Sequence, residues 1–152
     1  LKDELFRIMN RRGIYCLVFK NPWVSSSVGA LGKLEFSPGW HIYVGSALGN
    51  AGFSRVRRHM LLSAVKDRKP RWHVDYLLVS PYFTLDSVFC GETSGRLECR
   101  LAGLLGGREV PGFGCSDCRC TSHLFWRKED PREEIFSAFN DLNIPVHMKN
   151  IK

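Results

Sequence analysis

GWHIYVGSALGNAGFSRVRRH, running from Gly39 to His59, decides how this 152-residue chain is read. Its first part alternates as a strand ending at Tyr43-Val44-Gly45, a Gly/Ser/Asn-rich turn follows, and a helix opens at Ser54. Arg55 and His59 are four apart on that helix, a spacing expected to point them the same way. A strand-end tyrosine, a glycine where backbone must come close, and a basic pair across a short turn suit the grip of a phosphate. A buried strand tyrosine beside a solvated basic helix face is the plain structural alternative.

Upstream, Leu1, Leu5, Ile8 and Met9 share one helical face, so a short helix is expected over residues 1–10. Gly13 to Phe19 is a nearly continuous apolar run, suited to the middle of a sheet. Val28 to Phe36, interrupted by Gly29 and Gly32, reads as an edge or bulged strand that would complete an antiparallel meander with Trp40 to Val44. Downstream, Val56, Met60 and Ala64 give the central helix its core face, and that helix runs to about Lys66. Trp72 to Val79 is expected to be a strand with His73 and Asp75 on one face, and Thr84 to Cys90 another. Thr93-Ser94 signals a helix start, with Leu97, Leu101, Leu104 and Leu105 as its buried stripe and Glu98 beside it. A Gly-rich loop over 106–120, a short strand over 122–126 and a C-terminal helix over 131–142 complete the chain. The expected architecture is one α+β domain over residues 1–152, a small antiparallel sheet flanked by helices, with the motif-bearing core at about 13–126.

A formal charge of +7 with only 24% charged residues places the excess in arginine and lysine, favouring a polyanionic partner. Arg57, Arg58, Lys66, Arg68, Lys69 and Arg71 concentrate that charge near the central helix. No run of about eighteen apolar residues is present and the N-terminal stretch is charged, so no membrane span is expected and the location is read as cytoplasmic. For the six cysteines, reduced thiols or a metal site are then better readings than disulfides.

Gly13-Ile14-Tyr15, Tyr43-Val44-Gly45-Ser46, Arg55 with His59, and Glu98 on a later helix together resemble the ordered signature of the GIY-YIG nuclease superfamily. The stretches Arg71 to Leu78, Glu98-Cys99 and Gly112 to Leu124 look like one uncharacterised prokaryotic branch of it, found alone or fused to an endonuclease III type glycosylase. The resemblance implies a central antiparallel sheet flanked by helices and cleavage of DNA with Mg²⁺ or Mn²⁺. Carried over, Tyr15 and Tyr43 are the paired motif tyrosines, Arg55 stabilises phosphate, His59 is its helical companion, and Glu98 holds the metal. Gly45, Ser46, Arg58, Arg71 and His73 are read as substrate-binding, and DNA repair, with a repair protein as partner, as the setting. Two departures stand out: Tyr15 and Tyr43 lie 28 positions apart, where the superfamily usually has a short loop, and an apparent extra strand or hairpin lies between them. The asparagine that often follows the metal glutamate is missing, with none between Glu98 and Asn140, leaving Asp117 or His123 as substitutes.

The residue types fit such chemistry on their own terms. Phosphodiester hydrolysis needs an activated water and neutralisation of charge at phosphorus. A single glutamate with several waters is a normal way to hold Mg²⁺, and arginine offers phosphate a fixed fork. A tyrosine is a poor base at neutral pH and needs help from a metal or from His59. A non-catalytic nucleic-acid-binding module that keeps the cleft is the alternative, and a structural or partner-docking domain is the third reading. His73 with Asp75 reads either as a base with its orienter or as a satisfied polar patch. Cys115, Cys118, Cys120 and His123 offer four soft ligands in nine residues, the composition of a structural Zn²⁺ site. Their spacing is crowded, so reduced thiols packed in a Gly-rich loop, with His123 near the cleft, are the favoured reading over Zn²⁺.

Overall fold

A computed structural model describes residues 4–115 and 120–151. Chain order is α1 (Glu4–Arg7), β1 (Gly13–Asn21), β2 (Val24–Ser27), β3 (Lys33–Phe36), β4 (Gly39–Ala47), α2 (Ser54–Val65), α3 (His73–Val79), β5 (Thr84–Glu92), α4 (Glu98–Leu105), β6 (Leu124–Arg127), α5 (Arg132–Asp141) and β7 (Val146–Asn150). Five strands form one antiparallel sheet in the order β6-β4-β1-β5-β7. The α+β class, the antiparallel sheet and its flanking helices are thus as expected.

The apolar run of β1 is explained by its central place, because every residue but Lys20 is buried. Strand alternation sends Tyr15, Leu17 and Phe19 into one core, shared with Val56 and Leu62 of α2 and Val74, Leu77 and Leu78 of α3. Ile14, Cys16 and Val18 enter the opposite core, with Leu101, Ala102 and Leu105 of α4 and Ile135, Ala138 and Phe139 of α5. Helices therefore cover both faces, and a strand buried on two sides loses the polar alternation of a half-exposed one.

The segment between β1 and β4 is a hairpin. β2 and β3 pair with each other in a separate two-stranded sheet, across a 3-10 turn at Gly29–Leu31. β1 pairs directly with β4, Asn21 opposite Gly39, so the single-sheet meander is corrected. Val24, Val28 and Phe36 of the hairpin are buried in the same core as Phe83.

Residues 73–79 form a helix, correcting the expected strand. Val74, Leu77 and Leu78 are its buried residues, at i, i+3 and i+4. The Asp75 carboxylate accepts from the backbone N–H groups of Arg71 (2.9 Å) and Trp72 (3.2 Å), satisfying amides at the helix start. The core face of α2 carries Val56, His59 and Leu62, with Met60 half-buried against the same core as expected, whereas Ala64 is exposed. α4 begins at Glu98, later than the Thr93-Ser94 signal suggests, and β7 was not foreseen. Lys66 turns inward as well: its ammonium donates to the carbonyls of Leu78 and Ser80, both at 2.7 Å, so it binds the end of α3.

Candidate functional site

A cleft of about 690 Å³ opens where β1, β4 and α2 face the start of α4 and the loop before β6. Tyr15, Tyr43, Gly45, Ser46, Arg55 and Glu98 all line it, together with Leu48, Gly49, Arg96, Cys99, Gly114 and His123. Antiparallel pairing of β1 with β4 brings Tyr15 opposite Gly45, two residues beyond Tyr43. A Cβ on Gly45 would lie 2.4 Å from the Tyr15 ring. Glycine there makes room for the phenol, which is the close approach anticipated, although the approaching group is a side chain of the protein.

Tyr15 is 1% exposed, and its hydroxyl lies 2.9 Å from His59 Nε2. Burial pushes the phenol well above its ordinary pKa; nearby Tyr43 adds to this, and the charge on Arg55 opposes it. Burial also depresses His59, to about 3, against the pull of the Asp75 carboxylate. At neutral pH both partners are therefore uncharged. His59 Nδ1 and Asp75 Oδ1 are buried without hydrogen-bond partners.

Arg55 is exposed at the cleft, its Nη1 donating to the Ser46 carbonyl at 3.1 Å and its guanidinium 5.1 Å from the Trp72 ring centroid. Four residues apart on α2, Arg55 and His59 both act on Tyr15, as their spacing suggests, but from different depths. Arg55 reaches into the cleft from the first turn, whereas His59 is turned into the core behind Tyr15. Glu98, half-buried, stands at the first position of α4, where a helix N-terminus favours a carboxylate. The far end of α4 is fixed by Arg127 of β6, which donates to the Gly106 carbonyl at 2.7 Å and makes a two-pronged pair with Glu134.

Three residues read as substrate-binding do not line this cleft. Arg58 lies 3.5 Å from Asp75 and 4.5 Å from the Trp72 ring centroid, Arg71 contributes its backbone N–H to Asp75, and His73 Nδ1 accepts from the Gly114 N–H at 2.8 Å. The helical form of 73–79 explains this, since it separates His73 from Asp75: the first holds the loop before β6, the second caps its own helix. Arg96 was missed because only the folded chain brings the segment ahead of α4 to the cleft.

The four-residue cysteine and histidine set is only partly described. Cys118 lies outside the described residues, as does Asp117. Cys120 forms a disulfide with Cys99, 21 residues away, correcting the expectation of reduced thiols for this pair. The spacing conceals the partner, since only the docking of α4 brings Cys99 to that loop. Among the described residues, the groups gathered closely enough for a metal are Cys99, Cys120 and His123, their ligand atoms within 4.8 Å of one another, and Cys115 is not among them. Cys16 and Cys90 are thiols buried in the sheet, both raised by burial.

Among the described residues, no helix is long and apolar enough to cross a membrane. No curated protein and no solved structure matches the chain. A family model does match, over residues 14–144, which takes in both tyrosine strands, the central helix, Glu98 and α5. The chain belongs to the family described as Domain of unknown function DUF123.

Proposed function

We propose that the chain is a divalent-metal-dependent endonuclease that hydrolyses DNA phosphodiester bonds, of the GIY-YIG type that its motifs resemble. The observation that carries this reading is the meeting of Tyr15, Tyr43, Arg55 and Glu98, from four separate elements, around one cleft. Glu98 fits Mg²⁺ or Mn²⁺: it is a half-buried carboxylate in a polar cleft with room for the waters such an ion keeps. The ion would supply charge at the phosphate and a more acidic bound water.

The other roles belong to the chain. Arg55, held from behind by the Ser46 carbonyl, directs its remaining N–H groups to phosphate oxygens, and Arg96 adds a second cation to the cleft. Tyr15, neutral and held by His59, presents its oxygen at fixed geometry. It takes a proton from water while its own proton moves to His59 Nε2. The depressed basicity of His59 makes that transfer uphill in the free protein, and substrate phosphate beside the pair lowers the cost of the imidazolium.

A DNA-binding module without cleavage is the second reading, favoured because Glu98 is the only carboxylate among the described residues lining the cleft. A panel of supercoiled plasmid, flap, junction, abasic and single-stranded DNA separates the two. Cleavage with Mg²⁺ or Mn²⁺ that disappears in Glu98→Gln, with DNA binding retained, is the expected result. Salt-sensitive binding with no cleavage of any substrate would establish the second reading. Tyr15→Phe should lose cleavage at a stability cost of about 1–3 kcal/mol, the range for leaving a buried polar group unpaired.

A further inference from the structure

The structure assigns a function to the cysteine pair beside the cleft: in its reduced form, Cys99 and Cys120 join His123 in a binding site for Zn²⁺. This goes beyond the nuclease reading and does not depend on it. The ligand set also differs from the loop quartet suggested by spacing, because Cys99 joins it from the first turn of α4 and Cys115 is not among the gathered groups.

Three observations converge. The donor atoms of Cys99, Cys120 and His123 lie within 4.8 Å of one another, and two soft sulfurs with an imidazole are typical zinc donors. Cys99 Sγ is 3.7 Å from His123 Nε2. Two ligands on one tetrahedral zinc, at Zn–S and Zn–N bond lengths of about 2.3 and 2.0–2.1 Å, stand about 3.6 Å apart.

The third observation fixes the histidine. Its Nδ1 lies 2.9 Å from the Val44 carbonyl oxygen, which can only accept, so Nδ1 carries the hydrogen. Nε2 is left with its lone pair on the side of Cys99. A backbone carbonyl holding the far ring nitrogen is the usual support of a metal-bound histidine. His123 is 5% exposed and its backbone amide donates to the Phe113 carbonyl at 2.8 Å, so the ring is placed before any ion arrives.

The disulfide and the zinc complex are alternative states of the same two sulfurs. A dithiol or phosphine reductant supplies two electrons and breaks the S–S bond, two protons complete the thiols, and the reductant is oxidised in turn. Zinc then displaces both thiol protons to solvent and binds two thiolates and Nε2. The fourth tetrahedral position falls to water. Since Cys99 follows Glu98 directly and both line the cleft, the ion would fix the start of α4 and the loop that faces it.

The test uses the whole chain, stripped of metal and kept reduced with a phosphine, titrated with Zn²⁺ against a chromophoric chelator. Stoichiometric zinc is expected, lost in Cys99→Ser, in Cys120→Ser and in the disulfide form. Co²⁺ in place of zinc should give a thiolate-to-metal charge-transfer band and a tetrahedral visible spectrum in the wild type, so the result stands even where a variant fails to fold. Failure of the reduced chain to hold zinc against the chelator would overturn the assignment. So would full retention in a folded Cys99→Ser chain, which would place the ion on loop cysteines alone.

Discussion

One wall of the cleft stands on β1, β4 and α2, and the other on the start of α4 and the loop ahead of β6. The first is secured by strand register, a buried Tyr15–His59 contact and the fit of a ring over Gly45. The second is secured by single ties: Arg127 at the end of α4, His73 to Gly114, His123 to Val44, and the bond between Cys99 and Cys120. A wall made of sheet is fixed by the same contacts that make the fold, whereas a wall made of helix end and loop depends on a few side chains. Changes to the first should therefore affect stability and chemistry together, while changes to the second can be separated from folding.

The sharpest probe of this contrast is Arg55→Ala. Its guanidinium is exposed although its helix belongs to the sheet wall, so loss of a group aimed at charge in the transition state should reduce cleavage by about 10²–10³-fold. Thermal stability should change by about 0.5 kcal/mol or less, as for ordinary surface positions; a comparable loss of stability would show that even the exposed residues of this wall are structural. Gly45→Ala should come next, at about 1–3 kcal/mol by denaturant titration, because the added methyl meets the Tyr15 ring in a packed core. Unchanged stability there would mean that the ring moves aside without cost.

Acid should weaken the sheet side of the molecule. Burial lowers His59 to about 3 and His41 to about 4, whereas both titrate near 6.5 when unfolded. Above that value neither state binds these protons; below it the unfolded chain binds them first, so stability falls as pH drops from about 6.5 towards 4 and 3. The slope should approach roughly 1.4 kcal/mol per pH unit for each histidine, and His59→Gln should remove one share of it in urea titrations across that window. The smallest effect is expected from Arg96→Ala on the loop side. It should leave melting unchanged and reduce by about one the slope of log affinity for DNA against log salt. A larger effect would give this segment a role beyond its charge.

The same contrast marks what could be read before folding. The continuous apolar run of β1 and the alternation ending at Tyr43 located the sheet wall, because burial on two faces and strand register are written in local pattern. The helix at 73–79 was misread because Trp72, Val74 and Tyr76 also suit a strand, although Val74, Leu77 and Leu78 carry helical spacing and Asp75 supplies the cap. The four-residue offset put His59 on the same side of α2 as Arg55, and both act on Tyr15, but spacing does not record depth: His59 is buried in the core while Arg55 remains at the rim. On the loop side, Glu98 could be singled out only through the motif. Arg96, Cys99 and the histidine–carbonyl support of His123 depend on how α4 docks, and no local spacing records that. The β2–β3 hairpin was half legible: the glycines broke the pattern, but not in a way that separated one interrupted strand from two.

That hairpin is dispensable to the ladder but not to the interior. Asn21 and Gly39 face each other across β1 and β4, so a tight turn could have joined them and the ladder would have closed unaided. Yet Phe36 packs edge-on against both Phe83 and His41, and the Asn21 side chain binds the carbonyls of Pro22 and Ser37. Excising the hairpin would leave the ladder intact and yet open the interior to solvent, since Phe83 and His41 are buried only with that lid in place.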